Sequence, residues 1–157
     1  MSSSRRKPEL KQHHRKLVHV AAVILFLLYL GVLAYILFFL EVRDGTYHNV
    51  NLVPFKTIRM LYTYYFKFHE FTSWYWIANI YGNIALLAPF GLLLPLVCHR
   101  RMAFWSILLL AALFSIAIEA CQYLTLVGEA DIDDVILNVF GALLGYIVYR
   151  ILGNSFK

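Results

Sequence analysis

Leu17 to Leu40 is an apolar run interrupted only by His19. At about 1.5 Å per residue, a helix over that stretch is long enough to cross a hydrocarbon layer about 30 Å thick. The run exceeds the roughly 7–15-residue core of a cleavable signal peptide, so it reads as an uncleaved first span. Three more runs follow. Tyr75 to Val97 holds Asn79, Asn83, Pro89 and Pro95, Ala103 to Val127 holds Glu119 and Gln122, and Ile132 to Leu152 begins with Asp133 and Asp134. At about 20 residues per span, a chain of 157 residues has room for four or five spans at most. Composition agrees: 61% of residues are hydrophobic and 15% charged, whereas a soluble domain carries about 25% charged residues.

The expected fold is therefore all-α, a polytopic membrane protein with four transmembrane helices over 17–40, 75–97, 103–127 and 132–152. Residues 1–16 form a basic tail, 41–74 an outer loop, and 17–157 one domain without internal repeats or flexible linkers. The distribution of Lys and Arg sets the orientation. Ten lie before span 1, between spans 2 and 3, or at and beyond the end of span 4, while the other side has only Arg43, Lys56, Arg59 and Lys67. Both termini are thus expected in the cytoplasm. The net charge of +5 is then mainly a topology signal, with attraction of the amino terminus to anionic lipid as a lesser effect. No nucleic-acid-binding module is recognisable. Cys98 and Cys121 fall at depths too different for a disulfide.

Polar groups in hydrocarbon are costly unless partnered, and ionisable ones mark function by default. Here they share a depth: Asn83, Glu119 and Asn138 each lie roughly 9–14 Å beneath the outer surface by helical rise. They also share a periodicity. Asn79 and Asn83 are spaced i, i+4; Ser115, Glu119 and Gln122 are spaced i, i+4, i+7; Asp134, Asn138, Gly141 and Gly145 are spaced i, i+4, i+7, i+11. Each set is a stripe on one helix face. Three stripes that avoid lipid are expected to converge on an outward-opening polar pocket between spans 2, 3 and 4. Below it, Gly141-x-x-x-Gly145 allows close helix approach.

Each feature also has a plainer explanation. Asn and Gln in spans serve as interhelical glue, and Gly-x-x-x-Gly is common wherever helices pack. Asp131, Asp133 and Asp134 suit the capped, dipole-compensated start of span 4. Glu119 is harder to explain that way, because a carboxylate well inside a span must be protonated, paired or bound to something. In the outer loop, Asn51-Leu52-Val53-Pro54-Phe55 is turn-like, and residues 56 to 71 interleave aromatics with Lys56, Arg59, Lys67 and His69. Such a segment lies in the interface or re-enters the membrane. It brings Lys56 or Arg59 over the acidic pocket, or simply anchors the loop with an aromatic belt. Pro89-Phe90-Gly91 and Pro95 are expected to kink or unwind span 2.

In that order, Asn51-Leu-Val-Pro-Phe55, Asn79-x-x-x-Asn83, Pro89-Phe-Gly91-x-x-x-Pro95, Ser115-x-x-x-Glu119-x-x-Gln122 and Asp131-Ile-Asp-Asp134-x-x-x-Asn138-x-x-Gly141-x-x-x-Gly145 resemble the VanZ-like membrane proteins. The resemblance covers residues 51 to 149. Many relatives carry a basic residue before the Asp-x-Asp-Asp segment, where this chain has Gly128-Glu129-Ala130. The resemblance implies a small polytopic protein of the bacterial cell membrane and a link to resistance against the lipoglycopeptide teicoplanin. It implies no cofactor.

Three functions fit the residues. The first is binding of an amphiphilic envelope ligand or lipoglycopeptide at the outer leaflet, in a pocket of Asn79, Asn83, Ser115, Glu119, Gln122, Asp131, Asp133, Asp134 and Asn138. The loop residues Asn51, Pro54, Phe55, Lys56 and Arg59 flank that pocket. The second is an enzyme acting on a cell-envelope lipid, with Glu119 and Asp134 as acid and base or as ligands of a hard divalent cation. The third is an ion or proton pathway, which the apolar inner halves of the spans oppose. His48, His69 and His99 lie in or beside loops, which argues against a zinc hydrolase, and no metal site is assigned.

Overall fold

The computed structural model describes residues 3–40, 50–63, 74–98, 102–126 and 130–155. The chain forms helix α1 (Ser3–Tyr35), closed by a π-helical turn (Ile36–Leu40), and then strand β1 (Val50–Asn51) and the short helix α2 (Lys56–Thr63). Helices α3 (Trp74–Val97) and α4 (Phe104–Leu124), strand β2 (Ala130–Asp131) and helix α5 (Ile132–Ser155) follow. Four helices are long and apolar enough to cross a membrane: Arg15–Phe39, Ala78–Val97, Phe104–Leu124 and Ile132–Gly153. They match the four expected spans to within a few residues. Ahead of the first span, the basic segment continues the same helix back to Ser3. Lys67 and His69 of the aromatic stretch, His48, His99 and the Gly128-Glu129 pair lie outside the described residues.

The helices pack as a row, α1 against α3, α3 against α5, and α5 against α4, with α3–α5 the most extensive contact. Three glycines set that contact. A Cβ on Gly141 would overlap the Ile84 carbonyl, one on Gly145 the Ala88 carbonyl, and one on Gly91 the Ala142 carbonyl. Without side chains at these points the two backbones touch, the small-residue packing that joins helices where no water drives association. Gly141-x-x-x-Gly145 thus packs against α3, and Gly91 supplies the reciprocal notch.

The helix α3 runs from Trp74 to Val97 through both Pro89 and Pro95. The expected unwinding is absent, because a spanning helix has no water to satisfy an opened backbone and keeps its remaining bonds. Neighbouring side chains bond its backbone: the Tyr29 hydroxyl donates to the Leu86 carbonyl at 2.9 Å, and His19 Nδ1 lies 3.1 Å from the Leu96 carbonyl. The latter is one of the last-turn carbonyls that have no partner within a helix. Phe90 connects three helices, stacking on Phe114 of α4 at 5.0 Å and meeting Phe26 of α1 at 6.0 Å. Beyond the end of α3, the Tyr146 hydroxyl donates to the Met102 carbonyl at 2.8 Å and fixes the turn into α4 to α5.

Candidate functional site

At the amino-terminal end of α5 the helical row gives way to a small hydrogen-bonded assembly. Strands β1 and β2 pair in parallel, Val50 opposite Ala130 and Asn51 opposite Asp131. This brings two segments about eighty residues apart in sequence side by side and seats α2 against the start of α5. Asp131 is the N-cap of α5, and its Oδ1 accepts the Asp133 N–H at 2.8 Å, the usual bond from N2 to a capping acid. The same carboxylate accepts Asn51 Nδ2 at 2.9 Å and the Thr57 hydroxyl at 3.1 Å.

Asp133 caps a different helix. Its Oδ1 accepts the N–H of Phe55, and its Oδ2 accepts that of Thr57 at 2.7 Å. Phe55 occupies the position before α2 where Ser, Asp or Asn would normally accept the Thr57 amide. It has no acceptor, so a carboxylate from α5 takes the role. Phe55 also sits at φ 62°, a left-handed conformation that bulky residues adopt only when their surroundings hold them there. Asp133 is fully buried and Thr57 nearly so. Pro54 lies in the turn just before Phe55.

The next layer down lies between α4 and α5. Glu119, 7% exposed, accepts the Asp131 N–H through Oε2 at 3.1 Å. In an ordinary capping box that bond would come from the acid at N3, here Asp134; α4 supplies it instead. One turn further in, Asn138 Nδ2 donates to Ser115 Oγ at 2.9 Å. Both residues are buried, as is Gln122, and Asp134 is partly buried at the head of its stripe. The stripes of α4 and α5 therefore meet face to face.

The α3 stripe behaves differently. Asn83 Nδ2 donates to Asn79 Oδ1 at 3.4 Å along one helix face, and among the described residues neither side chain bonds to α4 or α5. Lys56 and Arg59 are exposed on α2, with no ion pair to Asp131 or Asp133 among the described residues. No group of three His, Cys, Asp or Glu side chains there is placed to hold a metal ion. Cys98 and Cys121 are free.

Thr57 is the participant that the sequence did not announce. It carries no charge, interrupts no span and belongs to no stripe. The one available signal was its place at N2 of a short helix following Pro54, where a buried amide and hydroxyl need acceptors.

Comparison with known proteins agrees with this architecture. Residues 26–153 match the family described as VanZ/LLP1, a span that takes in part of α1 as well as the motif-bearing helices. Protein VanZ of Enterococcus faecium is 34% identical over 67 residues, 43% of this chain and 41% of that protein. The match thus spans about two fifths of that relative's length. No solved structure matches the chain. With its four membrane-crossing helices and a family match over most of its length, the chain is a multi-pass membrane protein belonging to the VanZ/LLP1 family.

Proposed function

We propose that this protein sits in the bacterial plasma membrane with both termini in the cytoplasm, and binds an amphiphilic envelope ligand in a polar pocket open to the outer leaflet. Through that binding it lowers sensitivity to lipoglycopeptides of the teicoplanin type. The observation that carries the reading is the buried polar layer between two spans: Ser115, Glu119, Gln122 and Asn138 are each at most 7% exposed. Hydrocarbon offers no partner to such groups, so a membrane protein keeps them where they serve a ligand or a path. The family membership supports the phenotype, since the VanZ-like proteins take their name from a teicoplanin-resistance protein.

Orientation is tested by cysteine labelling with Cys98 and Cys121 replaced by Ala. An impermeant thiol reagent applied to intact cells should label cysteines at Thr46 and Gly128 but not at Ser3 and Ser155. The reverse pattern would move the pocket to the cytoplasmic side.

Function is tested by expression in a susceptible Gram-positive host. Protection should be greater against teicoplanin than against vancomycin, because each buried CH₂ of a lipid tail adds about 0.8 kcal/mol of membrane anchoring and holds only the tailed drug at pocket depth. Glu119→Gln and Asp134→Asn should abolish the protection while the protein remains in the membrane. Equal protection against both drugs would indicate altered cell-wall precursors, and hence an enzyme. Protection that survives both substitutions would remove the pocket from the mechanism.

A further inference from the structure

Leu52, Val53, Pro54 and Phe55 form an unbroken run of exposed apolar side chains, and Leu52 is 72% exposed. Such a run marks contact with a partner or with a membrane. Its height on the helical row decides between the two. Ser115 Oγ accepts Asn138 Nδ2, and Glu119 Oε2 accepts the Asp131 N–H. Because α4 continues to Leu124, Asp131 lies about 3–7 Å below the end of that helix by helical rise. The run is tied to this level by Asn51 Nδ2 on Asp131 and by the Phe55 and Thr57 N–H groups on Asp133. Above it, α4 still presents apolar surface: Leu124 is 77% exposed, and residues 120–128 carry no charge. The exposed run is thus continuous in height with a surface that belongs to a membrane-crossing helix.

The hydrogen bonds suit that location. Irregular backbone at membrane depth is tolerated only where the protein itself satisfies its polar groups. The amides of Val53, Phe55, Lys56, Thr57 and Arg59 all donate within the chain, and Pro54 has none to satisfy. Next to the run, α2 packs against α3 and α5 and leaves Lys56 and Arg59 exposed, three residues apart and so on one face. Basic groups beside apolar bulk are the composition of segments that lie at the boundary of head groups and acyl chains. We propose that residues 50–63 form a wedge in the lipid leaflet beside the start of α5, the outer leaflet in the orientation proposed above. Leu52, Val53 and Phe55 sit among the acyl chains, and Lys56 and Arg59 lie against lipid phosphates. The carboxylates of Asp131 and Asp133 hold the wedge at its depth, and the partner of the exposed run is lipid.

The test uses the full-length protein, with Cys98 and Cys121 replaced by Ala, in nanodiscs of phosphatidylcholine and phosphatidylglycerol. Leu52→Cys and Val53→Cys each carry a nitroxide, whose relaxation by oxygen, concentrated among acyl chains, is compared with relaxation by a water-soluble nickel chelate. Leu113→Cys, at an exposed position on α4, supplies the lipid reference, and Ser3→Cys the aqueous one. Oxygen should be the stronger relaxant at positions 52 and 53, as at 113, and the order should reverse at position 3. Nitroxides on Lys56→Cys and Arg59→Cys should read between the two references. All four positions are exposed, so no packed side chain is lost, and thermal unfolding confirms that each labelled protein is folded. Readings at 52 and 53 that match position 3 put the run in water, and weak relaxation by both agents puts it against protein, such as a second copy of the chain. Either result overturns the wedge, and aqueous readings at both 56 and 59 overturn the phosphate contact. A nanodisc exposes both faces to solvent, so these outcomes do not depend on orientation or on ligand binding, which the cysteine-labelling and resistance experiments test separately.

Discussion

At its amino-terminal end, α5 presents Asp131 and Asp133, whose carboxylates accept amide and hydroxyl groups of the 51–57 segment. Two turns further along, the same helix presents Gly141 and Gly145, which offer no side chain and lie against the Ile84 and Ala88 carbonyls. One helix thus makes two kinds of contact. The glycine seam depends on the absence of atoms and fails when any are added. The carboxylate clasp depends on particular atoms and fails when any are removed or changed in character. The seam binds two regular helices along their length, while the clasp orders an irregular segment whose backbone amides would otherwise be unsatisfied.

The seam should give the largest effects. Gly91→Leu or Gly145→Leu drives a side chain into a facing backbone carbonyl, which cannot move without separating α3 from α5. The loss of stability should reach or exceed the upper end of the roughly 1–3 kcal/mol usual for overpacking, read by thermal unfolding in detergent micelles. Gly31→Ala and Gly82→Ala provide the contrast, since nothing lies within 4 Å of a Cβ at either position. Replacing glycine by alanine in an open helix position should stabilise by up to about 1 kcal/mol. Equal losses at all four sites would mean that the seam is not special.

The clasp should give a smaller and more local effect. Asp133→Asn preserves shape but replaces one accepting oxygen with an NH₂ that faces a backbone N–H, leaving buried donors opposed. The cost is about 1–3 kcal/mol, and it should fall on the 55–57 segment. Hydrogen exchange at the Phe55 and Thr57 amides should speed up by about tenfold or more, while exchange in the middle of α3 stays unchanged. A uniform rise along the whole chain would show that clasp and seam form a single cooperative unit.

These two regions also differ in how far the sequence disclosed them. The Gly141-x-x-x-Gly145 spacing announced a close approach because helical periodicity is local information. Its partner surface, Ile84 and Ala88, carried no signal, and Gly91, read only together with the neighbouring prolines, also serves as a packing notch. For the clasp, the acids and the Asn-Leu-Val-Pro-Phe turn were each visible, yet nothing local joined them. Their pairing spans 74 to 80 residues, and it puts Asp131 and Asp133 in capping and tethering bonds. The stripes of α4 and α5 could be inferred to meet because hydrocarbon rejects both. The same argument brought in Asn79 and Asn83, but two adjacent amides on one helix can also satisfy each other, and the described bonds show them doing so.

The smallest effect lies between the two regions, at the Ser115–Asn138 bond, and it separates a bond kept for stability from one kept for another purpose. Ser115→Ala alone deprives the buried Asn138 Nδ2 of its acceptor, and Asn138→Leu alone leaves the Ser115 hydroxyl without its partner. Each single change should destabilise. Interhelical hydrogen bonds in membranes couple by only about 0.6 kcal/mol on average, and by about 1.7 at most, so the coupling measured in a double-mutant cycle should fall in that range. The double variant is the informative one. It removes both partners together with the Asn138 Oδ1 acceptor that has no donor, and replacing both members of a buried polar pair with apolar groups is close to neutral or stabilising. The Ser115→Ala, Asn138→Leu protein should therefore unfold at or above the temperature of the unmodified protein while losing the protection against teicoplanin. A double variant that is both less stable and still protective would reverse the assignment: the pair would be interhelical glue, and the site would have to lie elsewhere.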